Sequence, residues 1–191
     1  MSWVFPCSFH KSYKYRAGIS PALESLMDNP IYNRPNTFTV IPRVLAFIEK
    51  NDEILMIERS KKNAFAYKKL NGIGGHIEKG EAPLTAVRRE VKEESGLEIT
   101  KFDLNVILFI DMETEKGVCV FVFSALYSGG SLQTSNEGNL IWIKKNDLSN
   151  LNVVKDVPFI LDLIEESKKD GKIKYLQHTY TDQELTITRV N

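Results

Sequence analysis

The pattern of apolar and polar positions becomes strand-like from Phe38 onward. FTVIPRVLAFIE and EILMIER are rich in β-branched and apolar residues and flank Asn51-Asp52, a turn-forming pair, so they predict a β-hairpin. A loop carrying Lys61, Lys62, Lys68 and Lys69 follows, and LNGIGGHI then leads into a polar segment. Glu81, with Pro83 near the first turn, marks the start of a helix there, and Gly96 marks its end. Residues 104–110 and 118–127 predict buried strands, and LIWI at 140–143 another. Asp156 and Pro158 open a second helix in which Phe159, Ile160, Leu163 and Ile164 recur at near-helical spacing, with Gly171 as its stop. IKYLQHTY and ELTITRV close the chain as a second hairpin. This order predicts an α/β (α+β) chain with a mixed sheet between helices.

Length and charge narrow the picture. A chain of 191 residues, 42% hydrophobic, encloses one sizeable core, so a single domain is expected, residues 38–191, preceded by an N-terminal extension, residues 1–37. In that extension Trp3, Phe5, Phe9, Tyr13 and Tyr15 are interleaved with His10, Lys11, Lys14 and Arg16. Such interleaving suits stacking on single-stranded nucleic acid, but aromatics more often bury against their own domain or a dimer partner, and we read them that way. The formal net charge is zero, so no nucleic-acid or membrane partner is expected, and any attraction for phosphate must be local. Cys7 and Cys119 lie far apart in sequence, without metal-type spacing. No secretory leader or long apolar run is read, and a reducing, cytoplasmic compartment is expected.

The chemistry is concentrated in GHIEKGEAPLTAVRREVKEESGL, residues 75–97. On a helix Glu90, Glu93 and Glu94, related as i, i+3 and i+4, share one face. Like charges so placed repel one another unless a cation intervenes, and carboxylates are hard ligands suited to Mg2+ or Mn2+, which commonly bridge protein oxygens to substrate phosphates. The alternative is a solvated acidic face.

The same segment resembles the Nudix box, G-x5-E-x7-R-E-U-x-E-E-x-G-U with U aliphatic, at every specified position: Gly75, Glu81, Arg89, Glu90, Val91, Glu93, Glu94, Gly96 and Leu97. The resemblance implies the α/β/α sandwich of that family and hydrolysis of a phosphoric anhydride by metal-activated water. It also implies metal ligands at Glu90, Glu93, Glu94 and the Gly74 carbonyl; family members differ in which carboxylate serves as base, so one of these glutamates or Glu137 would take that role, with Glu94 our first choice. Arg89, counted with the catalytic set, would pair with Glu81 and orient the acidic face. Gly74-Gly75 lets backbone approach a phosphate or metal closely. His76, beside these glycines, is read either as a phosphate contact or as a structural histidine.

Outside the box, KKLNGIGGHIEKGE resembles MutT-type members of the family, in which an asparagine before the glycines recognises a purine; Asn71 matches it. EGNLIWI places Glu137 five residues before Trp142, which matches a further metal-binding glutamate. LNVVKDVPFILDLI places Asp156 where these enzymes carry a base-recognising aspartate. Asn71 equally suits a turn and Asp156 a helix N-cap. Val154 departs from the pattern, standing near where those enzymes carry an aromatic platform for the base; Phe65, Tyr67 or an aromatic of the extension is a candidate replacement. The resemblance thus implies hydrolysis of an oxidised purine nucleoside triphosphate such as 8-oxo-dGTP, with hydrolysis of ADP-ribose or a nucleotide sugar, or a non-catalytic sensor role, as alternatives. Met112 stands where many ADP-ribose and nucleotide-sugar enzymes have a proline.

Overall fold

A computed structural model describes residues 37–60, 67–133, 136–181 and 184–190. The aromatic and basic positions 3–16, Lys61, Lys62 and Phe65 lie outside the described residues. Phe38–Asn191 forms one compact unit.

The first hairpin pairs strand β1 (Thr39–Lys50) with β2 (Glu53–Arg59), with Ile48 opposite Leu55 and Lys50 opposite Glu53. Asn51, at φ 56°, supplies the left-handed residue that so short a turn requires. The short β3 (Leu70–Asn71), helix α1 (Pro83–Ser95), β4 (Asp103–Asp111), β5 (Lys116–Leu126) and β6 (Gly138–Lys144) follow. A 3₁₀ turn (Lys145–Asn150), helix α2 (Val157–Asp170), β7 (Lys174–Thr181) and β8 (Glu184–Val190) complete the described elements.

The strands form one sheet in the order β3-β2-β1-β5-β4-β7-β8, and β6 also pairs with β2. β1 runs parallel to β5 and β4 parallel to β7, while the other pairs are antiparallel, so the sheet is mixed. Strand alternation sends neighbouring side chains to opposite faces. Along β1, Val44, Ala46 and Ile48 pack with Ala86, Val87 and Val91 of α1. Phe47 packs on the other face in a cluster that includes Ile160, Leu163 and Ile164 of α2. These two apolar layers bear out the α/β/α sandwich, and α2 takes its place from the apolar spacing that predicts it. Gly96 stops α1 at φ 75°, where a residue with a Cβ would be strained, and its N–H bonds the Lys92 carbonyl.

The structure adjusts some element bounds. β5 begins at Lys116 because parallel pairing with β1 starts at Thr39 opposite Lys116, which carries no apolar signature. Tyr127 falls just beyond that strand; its hydroxyl bonds the Gly130 carbonyl, and its ring meets Trp142 edge-on at 5.3 Å. Trp142 therefore packs in the α1-side core.

Candidate active site

The site is assembled beside the middle of β1. The segment after β3 runs beside β1 through backbone hydrogen bonds: Ala46 N–H to Ile73 O at 2.7 Å, and Val44 N–H to Gly75 O at 3.0 Å. A Cβ at position 74 would lie 2.2 Å from the Val44 carbonyl oxygen, so glycine there is required by the approach of two backbones. A Cβ at position 75 would fall 2.3 Å from Glu90 Oε1; the missing side chain leaves that space to a carboxylate.

Helix α1 presents its acidic face to this glycine segment. Glu94 is almost wholly buried, and its Oε2 accepts the Gly74 N–H at 3.2 Å. Burial, with the charges of Glu90 and Glu137 adding to it, pushes the Glu94 carboxyl up to about 7 against the pull of Arg59 and the Gly74 N–H. Arg59, at the end of β2, lies 3.9 Å from Glu94 Oε1 and 3.5 Å from Glu137 Oε2, and donates to the Gly74 carbonyl at 3.1 Å.

Arg89 holds the other side of the acidic face. Its guanidinium grips both oxygens of Glu81, at 2.8 and 2.9 Å, and also donates to Glu90 Oε1, Glu93 Oε2 and the His76 carbonyl. The Glu81 carboxyl is consequently held down to about 2, and Arg89 is raised by the same bonds. Arg89 and Glu81 do not line the cavity described next.

Glu90, Glu93, Glu94, Glu137, Gly74 and Gly75 share the lining of one cavity of about 1480 Å³ with Asn71 and Asp156. His76, Tyr67, Lys69, Met112 and Val154 also reach it, whereas Lys68 does not. Asn71 bends its Oδ1 back to the Gly72 N–H at 2.8 Å, an Asx-type bond that fixes the side chain. Asp156 precedes α2 without a side-chain capping bond; it turns instead toward β7, where its Oδ2 lies 3.5 Å from Nδ1 of His178. Burial pushes the Asp156 carboxyl up and the His178 imidazole down.

Some cavity residues escape the motif reading. Arg43 and Arg59 bring cationic groups to the acidic set, and burial beside Arg59 pulls Arg43 down. His178 and Tyr180 come from β7. His178 carries a detectable signal, because Lys174, Leu176 and His178 occupy the buried parity of β7 and polar residues there are unusual.

The donor set suits a hard cation: carboxylates and one backbone carbonyl, gathered around a cradle that a Cβ would fill. Among the described residues no three acidic, histidine or cysteine side chains stand in a metal-holding group; Arg89 bridges Glu90 to Glu93, and Arg59 bridges Glu94 to Glu137. Guanidiniums thus sit where positive charge is wanted.

A glycine segment facing an acidic helix on a mixed sheet defines a Nudix-type hydrolase site. The chain belongs to that family, whose members are pyrophosphohydrolases acting on phosphoric anhydrides: the NUDIX domain profile matches residues 39–163. It is 28% identical over 170 residues to the human 8-oxo-dGDP phosphatase NUDT18, which covers 86% of this chain and 48% of that protein. This chain therefore spans about half the length of that relative. The mouse oxidized purine nucleoside triphosphate hydrolase is 28% identical over 110 residues, 57% of this chain and 70% of that one. Among solved structures, the MutT protein of Bacillus halodurans superposes with a TM-score of 0.65 at 23% identity, covering 78% of this chain and 97% of its own, a likeness of fold. No helix among the described residues is long and apolar enough to cross a membrane.

Proposed function

We propose that this chain is a Mg2+- or Mn2+-dependent hydrolase of an oxidised purine nucleoside triphosphate, with 8-oxo-dGTP the best fit, yielding the monophosphate and pyrophosphate. The observation that carries this reading is the single cavity whose lining joins the acidic set to Asn71 and Asp156. A polyphosphate needs the first group and a purine edge the second. The names of two relatives, both acting on oxidised purine nucleotides, support the same substrate class. A reducing, cytoplasmic setting and a homodimer are part of the reading.

Glu90, Glu93, Glu94, Glu137 and the Gly74 carbonyl would hold the cation. When bound, the ion lowers the pKa of a water and neutralises charge developing on phosphoryl oxygens. Glu94, the most buried of these carboxylates and anchored by the Gly74 N–H, takes the proton of the attacking water. Arg89 keeps Glu90 and Glu93 in line by tying them to Glu81. Arg43, Arg59 and Lys69 draw in the phosphate chain. Asn71 and Asp156 face the base, where an amide and a carboxylate together complement adjacent purine donors and acceptors.

A second reading, the nucleoside diphosphate, is favoured by the NUDT18 relative, named for 8-oxo-dGDP and matching most of this chain. Turnover of 8-oxo-dGTP, 8-oxo-dGDP, dGTP and ADP-ribose with Mg2+ tests both. Pyrophosphate release from 8-oxo-dGTP supports the first, phosphate release from 8-oxo-dGDP alone supports the second, and turnover of ADP-ribose alone sinks both.

A further inference from the structure

The wall of the cavity contains a polar atom that the protein itself leaves unsatisfied. His178 is 1% exposed, yet its Nε2 has no hydrogen-bond partner. Buried ring nitrogens are almost always paired, because an orphan has given up water and gained nothing in return. One other buried side-chain atom among the described residues is in this position, Oδ1 of Asn105. The two differ in placement: Asn105 is held by Ser167 away from the cavity, whereas His178 lines it.

The other ring nitrogen is spoken for. Nδ1 lies 3.5 Å from Asp156 Oδ2, and a carboxylate in that position orients the imidazole and fixes its tautomer with the proton on Nδ1. Burial disfavours the imidazolium, so Nε2 carries a lone pair and accepts. Apolar Leu108, Val120 and Ile160 share the cavity lining with it, and Tyr180 follows two residues later on the same strand. A flat heterocycle with an N–H at one edge matches such a wall; a phosphate does not.

We propose that His178 is a base-reading residue, whose Nε2 accepts a hydrogen bond from an N–H on the edge of the substrate's purine while Asp156 holds the ring in place. This rests on the reading of the cavity as a nucleotide site. It adds a specificity-determining residue from β7, and it gives Asp156 a second duty, positioning the histidine. An oxidised guanine suits the arrangement because its N7 carries a hydrogen that guanine lacks, one more donor for an acceptor in the wall.

The test uses the full chain labelled with 15N-histidine and titrated with 8-oxo-dGMP, which carries the base but no anhydride to cleave. The His178 signal is assigned by its loss in His178→Gln. The Nε2 resonance is expected to move on adding 8-oxo-dGMP and to stay in place with inorganic pyrophosphate. In parallel, His178→Phe should weaken 8-oxo-dGMP binding about tenfold, the loss expected for one buried hydrogen bond, and His178→Gln, which restores an acceptor, should recover part of it. A stationary Nε2 signal while nucleotide binds, or His178→Phe binding as tightly as the parent with only a lower Tm, would overturn the proposal and leave the nucleotide reading standing. A parent protein that binds no nucleotide and hydrolyses none would remove both.

Discussion

The cavity lining divides into two sets of residues that are built in opposite ways. The acidic set comes mainly from a contiguous stretch, residues 75–97, in which one helix and one glycine turn bring most of the chemistry together. The set proposed to face the base comes from positions far apart in sequence: Asn71 on β3, Asp156 before α2, His178 and Tyr180 on β7. The acidic set is crowded with ion pairs, and Arg59 and Arg89 tie every one of its glutamates. The set proposed to face the base offers a few fixed polar groups in a lining that also carries apolar Leu108, Val120 and Ile160. A local motif can carry a reaction through many substrates, whereas recognition depends on how distant strands are placed and can change without touching the motif.

Substitutions that break only one of the sets test this division. The largest effect is expected from Glu94→Gln, which removes the buried carboxylate proposed as base: kcat should fall about 10²- to 10⁴-fold on every substrate, with the relative preference among bases unchanged. Steady-state kinetics on 8-oxo-dGTP and dGTP decide this, and near-parental turnover would remove Glu94 from its role.

Arg89→Ala comes next. It releases Glu81, Glu90 and Glu93 together, and a loss of about 10- to 100-fold in activity is expected, again equal across bases. Arg89→Lys should rescue little, because one ammonium cannot reproduce the two parallel bonds to Glu81. A selective change in base preference would show that the two sets are coupled.

Asp156→Ala and Asn71→Ala should do the reverse. Each removes a polar group proposed to face the base, so discrimination between 8-oxo-dGTP and dGTP should shift about tenfold while the substrate least dependent on base contacts keeps its kcat. Uniform losses on all bases would assign both residues structural duties.

The smallest effect concerns acid stability. Arg89 holds the Glu81 carboxyl down to about 2 from an ordinary 4.5, so the folded state binds its proton less readily than the unfolded chain. The resulting stabilisation is fully present above about pH 4.5 and is lost as pH falls toward 2. Thermal melts of Glu81→Gln should show a flatter decline of Tm across that window than the parent; an identical slope would contradict the pairing.

What the sequence reveals follows the same division. The hairpin at Asn51, both helices and the closing strands are legible because each rests on local spacing and local stop signals. The acidic face is legible because i, i+3 and i+4 positions meet on any helix, whereas the Arg89–Glu81 pair is expected only because the motif resemblance implies it. Arg59 and His178 are not legible, since their places depend on tertiary neighbours: Arg59 joins Glu137 because β2 pairs with β6, and His178 meets Asp156 where β7 passes the residue preceding α2. The local bond of Asn71 to Gly72 is foreseeable as turn chemistry, and it coexists with a place in the cavity lining. For Asp156 the capping alternative gives way to the contact with His178, which only the tertiary structure supplies.

The most direct measurement is product analysis from the purified chain with Mg2+ and a panel of 8-oxo-dGTP, dGTP, 8-oxo-dGDP and ADP-ribose. Metal-dependent release of pyrophosphate and monophosphate is expected, fastest from 8-oxo-dGTP. Turnover confined to ADP-ribose, or none on any member of the panel with metal present, would contradict the proposed function.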